Sequence, residues 1–306
     1  MAKIQGDQTG YKGQIVGDNR AAGGMLQGIP INESTKVRSD WECFYQTFYD
    51  DVASITEMEK LGWAETQVTG AGPTIVGTKE EGFLALIGVG DDADEGTNIQ
   101  LISANATDPA SVPHKSIGPL TSTPTLMDNR SLICSTRVRF QPASAFSADG
   151  PKFVFGWLTT DTAIMTPGTG ALAIATGGGI GFHMGETGTF SSFYQSTTVD
   201  DVSVDTGFDL SVIAASQTWW GLGTRIDFLD ASEGTGTMRW YIQDENAGTP
   251  WREIRKVVGT GSALGVPMQS TQVYGVSFAL INGATVDADL HISEIFTAIT
   301  KPGRTA

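Results

Sequence analysis

"TWWGLGTRIDFLD", residues 218–230, and "GTMRWYIQDENAGTPWREIRKVV", residues 236–258, decide the fold. In the first, Trp220, Leu222, Thr224, Ile226 and Phe228 take every second position and alternate with Gly223, Arg225 and Asp227. Successive strand side chains point to opposite faces, so this period of two predicts a half-buried strand. In the second, Met238, Trp240 and Ile242 repeat the pattern, and "ENAG" at 245–248 reads as a turn before a return strand.

The same period recurs outward from this pair. In "SLICSTRVRF", residues 131–140, Leu132, Cys134, Thr136, Val138 and Phe140 share one face, with Ser135, Arg137 and Arg139 on the other. Towards the end of the chain Val286, Ala288, Leu290 and Ile292 are in phase, but Ile295 and Ile299 are not. One extra residue in a strand produces such a slip, so a β-bulge or bend is expected there. Only "ITEMEKLGW", residues 55–63, offers a helical turn, through Ile55, Met58 and Leu61 at three-residue spacing. It is a short connector at most, and no internal repeat appears.

Composition agrees with an all-β chain. The 306 residues are 40% hydrophobic and 17% charged, with 38 glycines, and the apolar runs are short. A chain of this length buries roughly three quarters of its unfolded surface and needs no covalent staples. Residues 1–38 differ from the rest: apolar residues are scattered without period among glycines. Over residues 1–40, Lys3, Lys12, Arg20, Lys36 and Arg38 nearly balance Asp7, Asp18, Glu33 and Asp40, so a near-neutral extended arm at 1–38 precedes an acidic body at 39–306.

The net charge of −15, with no Lys or Arg between Lys152 and Arg225, disfavours nucleic acid and anionic membrane partners. The acidic surface is read as a source of solubility. Two isolated cysteines, Cys43 and Cys134, make neither a disulfide framework nor a zinc site, and both are expected as buried free thiols. "MAKIQGDQTGYKGQ" lacks the apolar stretch of a signal peptide, and no segment is apolar for long enough to span a bilayer. Synthesis and folding in a cytoplasm are expected.

The order of the pieces carries a resemblance. "DWECFYQTFYDDV", "ICSTRVRF" followed by "KFVFGWLTT", then "GGGIGFHM", "TWWGLGTRIDF", "TMRWYIQ" and "VYGVSFALINGATVDADLHISEIFTAI" resemble concanavalin A-like (laminin-G-like) jelly rolls. The match is closest to those found as virion structural proteins of tailed bacteriophages and covers about residues 40–300. The resemblance implies two packed antiparallel sheets and often trimeric placement on a capsid or tail. It implies nothing specific about residues 1–38.

Motifs that carry chemistry are scarce. "ATGGGIGFHMGETG", residues 175–188, looks like a cradle with His183 and Glu186 as working groups. It has no Lys for a phosphate loop, and Met184 stands where the dinucleotide pattern needs its third glycine. A bend between strands is expected instead. "DADLH" places Asp287, Asp289 and His291 on one strand face. Residues two apart on a strand are separated by roughly 6.8 Å, so the outer pair lie about 13 Å apart. One metal ion cannot bridge that span; a solvated polar face is expected. Asp91, Asp92, Asp94 and Glu95 cluster in a turn that fails the EF-hand spacing, and an irregular Ca²⁺ site remains an alternative to a plain acidic turn. No E-x-D-x-E alternation of glycosidase carboxylates and no G-x-S-x-G elbow occurs.

The expectation is therefore no catalytic residue, no metal and no cofactor. Of the adjacent pair Trp219 and Trp220, Trp220 belongs with the core face, which leaves Trp219 as a candidate to face a ligand or an interface. The leading reading is a bacteriophage virion structural protein, a capsid decoration or cement protein acting as a homotrimer on the capsid surface. Its arm, through Ile4, Tyr11, Ile15, Val16, Met25, Leu26, Ile29 and Ile31, would clamp the major capsid protein and neighbouring copies. The alternative is a receptor- or glycan-binding module of a phage head or tail fibre.

Overall fold

The computed structural model describes residues 41–47, 63–68, 75–78, 83–87, 96–101, 128–141, 150–159, 164–166, 169–174, 178–185, 187–196, 202–208, 219–230, 233–245, 249–260, 274–281 and 289–300. In chain order their strands are β1 (Trp41–Thr47), β2 (Trp63–Val68), β3 (Ile75–Thr78), β4 (Phe83–Ile87) and β5 (Gly96–Leu101). β6 (Ser131–Gln141), β7 (Lys152–Thr159), β8 (Gly179–Met184), β9 (Phe190–Gln195) and β10 (Val202–Asp205) follow. β11 (Trp220–Asp230), β12 (Thr235–Asp244), β13 (Arg252–Thr260), β14 (Tyr274–Ile281) and β15 (Asp289–Thr300) complete the set.

The strands form two antiparallel sheets. The eight-stranded sheet runs β13-β12-β11-β6-β15-β4-β3, and β1 lies along the second half of β15, where Trp41 opposes Thr300 and Thr47 opposes Glu294. The seven-stranded sheet runs β10-β9-β8-β7-β14-β5-β2. This is the all-β, two-sheet antiparallel jelly-roll sandwich expected from the alternating runs. The arm at 1–38, with Ile4, Tyr11, Ile15, Val16, Met25, Leu26, Ile29 and Ile31, lies outside the described residues, as does the helical turn expected at 55–63 except for Trp63, which begins β2.

The core lies between the sheets and takes the alternate residues of the quoted hairpin. Trp220, Leu222, Ile226 and Phe228 of β11 and Met238, Trp240 and Ile242 of β12 pack against Phe153, Phe155 and Trp157 of β7 and Ile180, Phe182 and Met184 of β8. Burying each such side chain stabilises the fold by roughly 1.5–3 kcal/mol. β12 and β13, on either side of the "ENAG" signal, pair antiparallel, and Thr249 N–H donates to Asp244 O at 3.0 Å. The phase slip in the last strand is a β-bulge: the register of β15 against β6 shifts between Ile292 and Glu294, which lets both Ile292 and Ile295 face the core.

A hydrogen bond through the core ties the two sheets. Trp240 Nε1–H donates to Gly181 O, 2.9 Å away across the core. Gly181 has no room for a side chain, because a Cβ there would stand 2.2 Å from Phe155 O and 2.8 Å from Gly156 Cα. Cys134 is a buried free thiol whose burial pushes its ionisation up beyond reach at neutral pH, so it is unreactive. The Cys43 side chain lies outside the described residues.

Candidate functional site

The two outer faces of the sandwich divide the candidates. On the seven-stranded sheet, the Gly179–Met184 part of "GGGIGFHM" is the strand β8 and not a cradle. Gly178 takes a positive φ of 68° just before β8, the bend expected of it, and a Cβ there would strike Gln195 O at 2.1 Å. His183 points outward on β8 and its Nε2 lies 2.7 Å from Gly170 O. A carbonyl only accepts, so Nε2 carries the proton and the imidazole donates. The ring also meets Phe193 edge-on at 6.4 Å.

Gly170 belongs to a flap at 164–174 that folds back on itself: Met165 bridges Leu172, and Ala173 N–H donates to Ile164 O at 2.8 Å. Ile164, Met165, Leu172 and Ile174 then pack on Val154, Leu158, Phe193, Ala279 and Ile281, so this outer face has a small core of its own. His183 is a clamp for the flap. Glu186 lies outside the described residues.

The outer face of the eight-stranded sheet is built differently. On β6, Arg137 stands opposite Gly221 of β11 and Glu294 of β15, and Arg139 stands opposite His291. Gly221 leaves the space over β11 to the ring of Trp251, which a Cβ there would meet at 2.7 Å. Arg137 Nε donates to Glu245 Oε2 at 2.6 Å, and its Nη1 donates to Ser293 Oγ at 3.4 Å. Arg139 reaches His291 Nδ1 through Nη2 at 2.9 Å and Nε at 3.3 Å. Arginine can only donate, so Nδ1 accepts and the imidazole proton sits on Nε2, which is 3.7 Å from Asp289 Oδ2.

Trp219 sits with these two arginines, the guanidinium carbons of Arg137 and Arg139 lying 4.7 and 4.8 Å from its ring centroid. Cation–π contacts of this length hold the indole in place, and Glu245 N–H to Trp219 O at 3.3 Å joins it to β12. Trp220 next to it is in the core.

The patch is partly open. Side-chain exposure is 27% for Arg137, 21% for Glu245 and 33% for Asp289, and Trp219 is half-buried. Burial raises the Glu245 carboxyl above the ordinary range, against the pull of Arg137. The group thus offers a ring, carboxylates that accept and guanidiniums that donate, all at a surface that solvent reaches. Further along the same face, Asp227 is engaged by Ser131, Arg225 and Arg239, and Arg239 extends the chain of ion pairs to Glu253 at 3.6 Å. Arg225 there is only 5% exposed by side chain, so that network holds β6, β11, β12 and β13 in register.

His291 departs from the sequence reading. It was expected on a solvated polar face with Asp287 and Asp289, but it is 8% exposed and engaged by Arg139. Asp287 and the cluster Asp91, Asp92, Asp94 and Glu95 lie outside the described residues. Among the described residues no three His, Cys, Asp or Glu side chains gather closely enough to hold a metal ion. Alternation places Arg137 and Arg139 on the outer face, but nothing in the sequence joins them to Glu245 and His291, more than a hundred residues away. Strand order alone does that.

No protein-family model and no curated protein matches the chain. Among solved structures, it is similar to lectin I of Ulex europaeus in complex with the methyl glycoside of α-L-fucose, at 11% identity and a TM-score of 0.49, covering 86% of this chain and 99% of that one. It is similar also to peanut lectin with a nine-residue peptide, at 11% and 0.47, covering 85% and 97%. A protein of unknown function from Shewanella oneidensis gives 9% and 0.47, covering 90% and 97%. The fold assignment rests on the strand order and register described above, and no ligand passes to this chain from these likenesses.

Proposed function

We propose that the protein is a non-catalytic recognition module that binds a glycan at the patch around Trp219. The observation that carries this reading is the fixed, half-buried indole of Trp219, braced by Arg137 and Arg139 beside Glu245 and Asp289. A sugar presents C–H groups on one face and hydroxyls around its edge. A ring that the protein already holds in place can stack on the first at little ordering cost. Carboxylates can accept the hydroxyl protons, and arginines can donate to the ring oxygens.

The test is a glycan array on the full chain, with and without Ca²⁺, followed by titration of any hit against W219A. Binding that falls at least tenfold in W219A supports the patch. A blank array under both conditions overturns the proposal.

A second reading, a capsid decoration or cement protein of a bacteriophage virion, is favoured by the sequence resemblance of residues 40–300. It places the clamp in residues 1–38 against the major capsid protein. Deleting residues 1–30 and measuring incorporation into particles and particle heat resistance tests it, and unchanged occupancy and stability would sink it.

A further inference from the structure

The lateral side of the sandwich where β13 and β10 end their sheets carries a feature that glycan binding leaves unexplained. Among the described residues each of these strands is terminal in its sheet, with one strand neighbour. They lie on the same side, because Arg255 of β13 crosses the gap between the sheets. Its Nη1 donates to Ser192 O at 2.6 Å and its Nη groups reach Val202 O at 3.3 and 3.4 Å. Its guanidinium also stands 4.6 Å from the Trp240 ring, so this end of the core is sealed.

Outside the seal, the two edges are opposite in charge. β13 exposes Arg252, Glu253 and Lys256, and Glu253 is engaged by Arg239 at 3.6 Å and by the Tyr241 hydroxyl at 3.4 Å, which leaves this edge net basic in a chain whose net charge is −15. β10 exposes Asp205, and no Lys or Arg occurs between Lys152 and Arg225, so β8, β9 and β10 contain none. Two exposed valines mark the same edges, Val258 of β13 at 53% and Val204 of β10 at 46%. Charge alone is the usual guard of an exposed strand edge, but exposed valines weaken a guard and suit a contact.

We propose that this side is an interface between two copies of the chain, the β13 edge of each meeting the β10 edge of the other. A two-fold axis between the copies brings basic edge to acidic edge twice, so one surface is complementary to itself and the assembly closes as a dimer. Backbone pairing across the edges and burial of Val204 and Val258 supply the affinity; the charges select the pairing and the register.

Sedimentation velocity on the full chain tests this. The wild type is expected as a dimer whose dissociation constant rises roughly tenfold or more between low and high salt, because the paired charges are exposed to screening. R252E/K256E and S203K/D205K are each expected to be monomeric where the wild type is dimeric, and an equimolar mixture of the two restores dimers. A wild-type monomer, a trimer, a dimer indifferent to both charge reversals, or variants that stay apart on mixing would each overturn the proposal. The wild-type salt series decides by itself should a variant fail to fold. The glycan array is independent of all these outcomes, so the two proposals fail separately.

Discussion

The outer face of the seven-stranded sheet is closed by the chain's own flap, while that of the eight-stranded sheet keeps a polar patch open to solvent. The first spends its most ligand-like side chain, His183, on a carbonyl of the flap. The second takes ordinary-looking residues, Arg137, Arg139 and Trp219, and groups them with partners distant in sequence. The comparison teaches that rarity of a sequence pattern is a poor guide to function in a sandwich of this kind. A glycine run in a strand relaxes backbone contact, whereas a surface site is assembled by register.

The difference can be broken most severely on the closed side. G181A should destabilise the fold by about 3 kcal/mol or more, since the added methyl meets backbone atoms of β7 that cannot yield. Denaturant unfolding measures this, and a change below about 1 kcal/mol would mean that β7 and β8 can separate there. M165A comes next. Met165 is a flap residue buried against the sheet at 1% exposure, and truncating it should cost about 2–3 kcal/mol. H183A should cost about 1 kcal/mol, the scale of one hydrogen bond whose carbonyl partner is left behind. Its mark should be local, with faster amide exchange at Ala171 and Ala173 of the flap and little change in β12.

The fold was readable because alternation survives wherever one strand face is buried and the other is not. β12 follows that rule, β6 and β11 keep the alternation in residue type although Ser135 and Arg225 on their outer faces are buried as well, and the slip at Ile295 announced the bulge in β15. The flap was not readable: its apolar residues pack on the outer face of a sheet, which makes β7 buried on both sides and erases its alternation. The patch was half readable. Adjacent tryptophans must point to opposite faces, and the Ser135–Arg137–Arg139 side of β6 faces away from the core. The pairing of Arg139 with His291 comes from β15 lying beside β6, which no local pattern encodes.

On the open side the stability effects should be small and the binding effects large. W219A removes two cation–π contacts at a half-exposed site, worth about 1 kcal/mol or less in stability, and Tm by calorimetry should barely move. Its glycan affinity should fall at least tenfold. A large loss of Tm with unchanged affinity would make Trp219 a structural residue and reverse the contrast between the two faces.

The gentlest probe is Glu245. Burial raises its pKa in the folded chain, so the native state holds this proton more tightly than the unfolded state does. Stability from this group is therefore greatest at acid pH, where both states are protonated, and declines as pH rises from the ordinary carboxylate value through the raised one. Binding should run the other way. As pH falls through the raised range, Arg137 loses the anion 2.6 Å from its Nε, and the ring it braces loses a fixed neighbour, so glycan affinity should weaken. E245Q should remove both slopes, binding weakly at every pH while its stability profile loses this contribution. If E245Q keeps the wild-type pH dependence of binding, the Arg137–Glu245 pair does not set the patch.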